Sequence, residues 1–388
     1  MASLGCAVTI DKPFRYPLAG PVDATGFDEF LATELGTPGV NLRRFAAELA
    51  DTFGAERLSL TNSGGSAALA AAFALAEQCG RGQALASGFT SATTLSALQA
   101  AGFEVNLVDV EEDGFNVDLE ALEAAIGPST KVLCVNHFLG FPASIDEIDE
   151  LASQRGLLVL QDCSQSMDLR VGGGPAHLRG TLATWSFGHA DHLSAFGGGA
   201  VICPDEDWHR RVESISNGGQ ACTCHTDRLD CLAPQGVNHK AWYERAGFDL
   251  QMSELNAVFG RSQLRSFRMQ EDRRRRHYRT LYDFLHGHTA LRLWAAPEDS
   301  GSPAFFPVQI REGDPEDIAA RLRAREVEVR SLETAVACGQ PAFRNLPHDG
   351  LARCTALAAS TFLVGIHQTL KDEEMAAVAR LINEEAML

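Results

Sequence analysis

The sequence predicts an α/β protein with a large domain followed by a smaller α+β one, and three observations carry that prediction. In the first half of the chain, short apolar runs alternate with amphipathic helical stretches, the pattern of strands joined by helices. The 388 residues, 45% of them apolar, are long for one domain and short for three. Beyond Trp294-Ala295-Ala296-Pro297 the pattern changes to a strand at Phe305-Phe306-Pro307-Val308 and further amphipathic helices. The boundary therefore falls between 255 and 295, with a large domain over 1–260 and a linker helix plus small domain over 261–388.

Five runs read as strands: Arg57 to Thr61, Gln83 to Ala86, Glu104 to Val108, Lys131 to Asn136 and Leu157 to Gln161. After the first, Asn62-Ser63-Gly64-Gly65-Ser66 opens an Ala-rich helix, Ala67 to Cys79, and puts free backbone N–H groups where a phosphate would sit. Small residues at such a junction more often serve tight packing. The segment Gln251 to His286 reads as helical, and its Arg273-Arg274-Arg275-Arg276 as a solvated face paired with the chain's many acids. An amphipathic helix, Glu373 to Leu388, closes the chain.

A net charge of −18 and a pI near 5.1 argue against nucleic acid or an anionic membrane as partner, because the summed field repels polyanions. No apolar run of membrane-spanning length appears, and Met1-Ala2-Ser3-Leu4-Gly5-Cys6 does not begin as a signal peptide, so a cytoplasmic protein is expected. Ten cysteines in that compartment are expected to be thiols, with Cys6, Cys79, Cys134, Cys203, Cys338 and Cys354 in apolar runs as core residues. Cys222 and Cys224 differ, since Gln220 to Asp230 is polar and loop-like.

Taken in order, these segments resemble the DegT/DnrJ/EryC1/StrS family of sugar aminotransferases and dehydratases over nearly the whole chain. Thr61-Asn62-Ser63-Gly64-Gly65-Ser66-Ala67 is similar to that family's phosphate turn, and Gly88-Phe89-Thr90 to the segment whose aromatic ring stacks on the cofactor. Gln161-Asp162-Cys163-Ser164-Gln165 is similar to the strand end whose aspartate pairs with the pyridine nitrogen, and Ser186-Phe187 through Gly199-Ala200-Val201 to the lysine loop. The resemblance implies fold type I, with a mostly parallel seven-stranded sheet flanked by helices, a homodimer, and cofactor contacts from Gly64, Gly65, Ser66, Phe89, Asp162, Gln165, Ser186 and Asp249.

In the lysine loop, Ser186-Phe187-Gly188-His189-Ala190-Asp191-His192-Leu193 contains no lysine, and the chain's four are Lys12, Lys131, Lys240 and Lys371. Without that amine, pyridoxal phosphate is not held covalently and ordinary transamination is not expected. The resemblance narrows to the 3-dehydratases, which use pyridoxamine 5′-phosphate and carry histidine in place of lysine; His137-Phe138-Leu139-Gly140-Phe141-Pro142 and Gly219-Gln220-Ala221-Cys222-Thr223-Cys224 are similar to segments of theirs. Cys163, Cys222, Cys224 and Cys231 come close to the spacing of the iron–sulfur branch, which implies a [2Fe–2S] cluster, although that branch has its first ligand where Ser164 stands here. A zinc site using His225 is the competing reading.

Two departures stand out. Asp191 occupies the Lys/His position, so Asp191, His192 or His189 becomes the candidate base, and the same three side chains also invite a metal reading. Asp249 stands where the family has an asparagine facing the cofactor phosphate, setting like charge against like. The expectation is a dehydratase acting on a nucleotide-linked 4-keto-6-deoxy sugar, served by an electron-donating reductase. The alternatives are an iron–sulfur enzyme of the same fold that has lost B6, and a non-catalytic homologue that binds a partner.

Overall fold

The computed structural model describes residues 15–18, 39–221, 241–297 and 301–387. After α1 (Val40–Phe53), the chain runs β1 (Leu58–Thr61), α2 (Gly64–Cys79), β2 (Gln83–Ser87), α3 (Ala92–Ala100), β3 (Glu104–Val108), α4 (Leu119–Ala125) and β4 (Thr130–Asn136). It continues through α5 (Ile145–Arg155), β5 (Leu158–Asp162), a small hairpin of β6 (Arg170–Val171) and β7 (Gly174–Pro175), β8 (Leu182–Ser186), β9 (Gly199–Ile202) and α6 (Glu206–Ser216). The seven-stranded sheet has the order β1-β9-β8-β5-β4-β2-β3. Its strands are parallel except β9, which runs antiparallel to both β1 and β8. Parallel strands covered by helices are buried on both faces, which is why β2, β4 and β5 read as nearly continuous apolar runs.

Helix α2 lies against the sheet and buries seven alanine and leucine side chains, so small residues set its close approach. Ser63 caps it by accepting from Ser66 N at 3.0 Å. The expected single helical stretch beyond 251 is two helices, α7 (Glu254–Leu264) and α8 (Phe267–Leu285), broken at Arg265-Ser266. A second sheet follows, built from β10 (Leu291–Arg292), β11 (Phe306–Ile310), β12 (Val329–Ser331) and β13 (Thr361–Val364) in the order β10-β11-β13-β12. Helices α9 (Pro315–Ala324), α10 (Ala352–Ala359) and α11 (Asp372–Ala386) accompany it. One core joins this sheet to α8, α9 and α11 through Tyr278, Leu281, Phe306, Leu322, Phe362 and Val378. Among the described residues no helix is long and apolar enough to cross a membrane.

The arginine run departs from the expected solvated face. Arg274 is buried at 4% side-chain exposure beside Glu271 at 2%, the charges 3.8 Å apart. Arg274 donates from Nε to Ser302 Oγ (3.1 Å) and from a terminal nitrogen to Ala304 O (2.9 Å), while Glu271 Oε2 accepts from Ser302 N and Oγ. On a helix, one residue in four faces inward whatever its neighbours do, and here it carries a charge that the fold pairs.

Of the expected core cysteines, Cys134, Cys203 and Cys354 are buried and Cys79 and Cys338 half-buried; Cys6 lies outside the described residues. At the edge of the 222–240 segment the chain closes on itself: Ala221 N donates to Trp242 O at 3.0 Å, and Gln220 bridges to Tyr243.

Candidate functional site

The C-terminal ends of β4 and β5, the loop after β2 and the stretch between β12 and α10 surround a cavity of about 230 Å³. Ligands of open α/β sheets gather at this end of the strands. The wall includes Phe89, Ser91, His137, Phe138, Asp162 and Gln165, with Gln340 and Phe343 from the stretch after β12.

Asp162 is the charged group of this wall, and four hydrogen bonds orient it. Its Oδ2 accepts from Thr94 Oγ1 (2.8 Å) and Ser91 Oγ (3.2 Å), its Oδ1 from Ser164 Oγ (2.6 Å) and Ser164 N (3.1 Å). Ser91 caps α3 by accepting from Thr94 N, and its reach to residue 162 is a tertiary contact that no local pattern announces. Gln165 is fixed too, its Oε1 accepting from Leu139 N at 2.7 Å. In the same wall, His137 accepts from Ala143 N at Nδ1 (3.0 Å) and meets Gln161 Oε1 through Nε2 (2.8 Å). A backbone N–H only donates, so the proton sits on Nε2 and the ring is neutral; burial holds its pKa below the usual histidine value.

Phe89 lines the cavity at 2% exposure, and its ring is stacked on Phe138 at 4.8 Å and 7°. Phe138 thus covers one face of the ring that the resemblance places against the cofactor.

The phosphate turn forms separately from this wall. Ser63 Oγ donates to Ser66 Oγ (2.9 Å), which donates to Asn62 Oδ1 (2.6 Å), at the start of the sixteen-residue α2. A Cβ on Gly64 would lie 2.6 Å from that of Ser186, and one on Gly199 2.7 Å from Ser63 O, so glycine lets the turn, the end of β8 and the start of β9 converge. The segment holding Asp249 runs alongside, since Asn62 N donates to Leu250 O at 2.7 Å and Thr61 bridges to Gln251. Asp249 itself is exposed.

The three candidate bases diverge. His189 is exposed. Asp191 is half-buried, its Oδ2 accepting from Gly188 N at 2.6 Å. His192 is buried, turned to Ser302 O (2.9 Å) and the Glu271–Arg274 pair, and burial lowers its pKa. Its ring thus belongs to the junction with α8, and none of the three side chains lines the cavity described above.

Cys163 is fully buried in an apolar cluster with Phe45, Met167, Trp185 and Phe187, and burial pushes its thiol pKa up. Chain alternation turns Ser164, its neighbour, to the cavity instead. Cys222, Cys224, Cys231 and His225 lie outside the described residues; among the described residues no group of three or more His, Cys, Asp or Glu is placed to hold a metal.

The residues present suit a phosphorylated pyridine cofactor at two points. An oriented carboxylate ends β5, and a helix N-terminus with two glycines and two serines stands beside Ser186 at the end of β8.

Comparison with known proteins agrees with this architecture. A curated relative, the dTDP-4-dehydro-2,6-dideoxy-D-glucose 3-dehydratase of Saccharopolyspora spinosa, is 28% identical over 373 residues, covering 89% of this chain and 80% of its own. The dTDP-4-amino-4,6-dideoxy-D-glucose transaminase of Escherichia coli is 25% identical over 345 residues, covering 86% and 87%. Among solved structures, the E. coli GDP-4-keto-6-deoxy-D-mannose-3-dehydratase with bound hydrated PLP superposes with a TM-score of 0.85 at 20% identity, over 96% of this chain and all of that one, and so shares the fold type I architecture. With the family model matching residues 22–383, the chain belongs to the DegT/DnrJ/EryC1/StrS aminotransferase family.

Proposed function

We propose that this protein is a pyridoxamine-phosphate-dependent 3-dehydratase of nucleotide-linked 4-keto-6-deoxy sugars. The observation that carries the reading is the loop after β8, where Asp191 stands without a lysine. Of the two described lysines, Lys131 is at the start of β4, the opposite end of that strand from the cavity, and Lys371 caps α11. The 3-dehydratase among the relatives supports the same reading, and the transaminase among them defines its competitor.

Bound pyridoxamine phosphate supplies an amine that condenses with a ketone and a ring that accepts electron density. The chain's part is to hold and orient. Backbone N–H groups of Gly64 and Gly65, with the hydroxyls of Ser63, Ser66 and Ser186, would receive the phosphate at the positive end of α2. Asp162, already aligned by Thr94, Ser91 and Ser164, would favour a protonated ring nitrogen. Asp191 keeps Oδ1 to receive a proton while Gly188 N holds Oδ2, and His192 anchors the loop through Ser302. Gln165, fixed by Leu139 N, completes the β5 end.

The iron–sulfur expectation rests on Cys163, Cys222, Cys224 and Cys231, and an electron-donating reductase would be its partner. Exposed Phe196, whose ring lies 4.2 Å from that of Phe259, and exposed Leu255 support a homodimer. The deciding experiment offers anaerobically purified protein a nucleotide-linked 4-keto-6-deoxyhexose with either pyridoxamine phosphate or pyridoxal phosphate plus L-glutamate. Loss of water from the sugar in the first mixture supports the dehydratase. Amine incorporation in the second would make it a transaminase.

A further inference from the structure

Two polar atoms of the cavity wall have no hydrogen-bond partner among the described residues, and they flank a single residue. Asn136, the last residue of β4, donates from Nδ2 to Phe89 O at 3.3 Å, which leaves its Oδ1 buried and unpartnered. Thr90, next in the chain after Phe89, is 2% exposed, and its Oγ1 is likewise buried and unpartnered. Both residues line the cavity, and Asn136 stands in register with Asp162 on the adjacent strand. Of the unpartnered buried side-chain atoms among the described residues, these are the two that belong to this wall.

Their chemistry is complementary. A carbonyl only accepts, so the bond to Phe89 O fixes which end of the amide is nitrogen and leaves Oδ1 as an acceptor. The threonine hydroxyl can donate. A single hydroxyl group satisfies both at once, donating to Asn136 and accepting from Thr90. A carbonyl oxygen would satisfy Thr90 alone and oppose its lone pairs to Oδ1. Native proteins rarely leave such atoms unpaired in their interior, and those they do leave call for a reason.

We propose that Asn136 Oδ1 and Thr90 Oγ1 form a hydroxyl-recognition site that distinguishes a hydroxyl from a keto group on the molecule bound in this cavity. The proposal rests on the reading above in one respect, that the cavity receives the cofactor or its sugar. The hydroxyl comes either from the cofactor ring or from the hexose.

Two nearly isosteric variants, Thr90→Val and Asn136→Leu, separate these sources from a purely structural role. Calorimetric titrations would use pyridoxamine phosphate, 3-deoxypyridoxamine phosphate, dTDP-glucose and dTDP. With the cofactor hydroxyl as ligand, Thr90→Val weakens pyridoxamine phosphate about tenfold and leaves its 3-deoxy analogue unchanged. With the sugar hydroxyl as ligand, the same loss appears for dTDP-glucose and not for dTDP. In both cases the melting temperature of Thr90→Val without ligand rises or holds, because an unpaired buried hydroxyl has been removed. Wild-type affinities in both variants for all four probes would overturn the inference while leaving the proposed function standing. A wild-type protein that binds none of the probes would overturn both.

Discussion

Arg274→Met tests whether the buried pair in α8 holds the wall of the site together. In the native chain, Glu271 at 2% side-chain exposure has Arg274 at 3.8 Å and accepts from Ser302 N (2.8 Å) and Ser302 Oγ (2.9 Å) at Oε2. Methionine fills similar space but leaves the carboxylate buried without its countercharge, and also removes the donors to Ser302 Oγ and Ala304 O. Breaking a buried pair from one side costs about 3–5 kcal/mol. At about 2 °C per kcal/mol for a chain of this size, the melting temperature should fall by about 6–10 °C. The double variant Glu271→Leu with Arg274→Met removes both charges and should recover at least about 2 kcal/mol of that loss. Urea denaturation of the wild type, both single variants and the double variant closes the cycle. A single-variant loss below about 1 kcal/mol, or strict additivity, would refute the reasoning and show that water reaches the pair.

Three further outcomes follow from particular contacts. Gly64→Ala sets a Cβ 2.6 Å from that of Ser186, so pyridoxamine phosphate affinity should fall by tenfold or more with the circular dichroism spectrum retained; unchanged binding would remove the turn from the phosphate site. Cys163→Ala and Cys222→Ala should each lower iron and sulfide content, as measured on anaerobically purified protein; wild-type content in Cys163→Ala would remove it from the ligand set. Burial lowers the pKa of His177 and His367 to about 4, so each binds a proton in the unfolded chain before the folded one. Their contribution to stability is complete above pH 6.5 and is lost as pH falls towards about 4, so His177→Gln should flatten the denaturation midpoint over that window.

The sheet was legible because its strands are buried on both faces: the runs expected at 57–61, 83–86, 104–108, 131–136 and 157–161 agree with β1 to β5 to within a residue at each end. Alternation cannot reveal order or direction, so the antiparallel β9 inserted between β1 and β8 is information held in the tertiary structure alone. The site followed the same division. Asp162 and the serine–glycine turn stand out in the sequence because strand ends and helix starts are local features. Cys163 and Ser164, adjacent in sequence, were separable only by the face each side chain takes. Arg274 was hidden inside a run of four identical residues, one of which the helix turns inward. His192 was indistinguishable from Asp191 until the loop's anchorage on Ser302 was visible.

The closure of the chain at Ala221 and Trp242 has a consequence for how such a protein changes over time. The residues that flank the 222–240 segment are bonded to each other, Ala221 to Trp242 and Gln220 to Tyr243. Because the entropy of closing a loop grows only slowly with its length, residues can be added, removed or exchanged between those two points at little cost to the sheet. Cys222 and Cys224 begin at one of those ends. The closure is therefore a fixed point of the scaffold, one that leaves the composition of the stretch between its two residues open to variation.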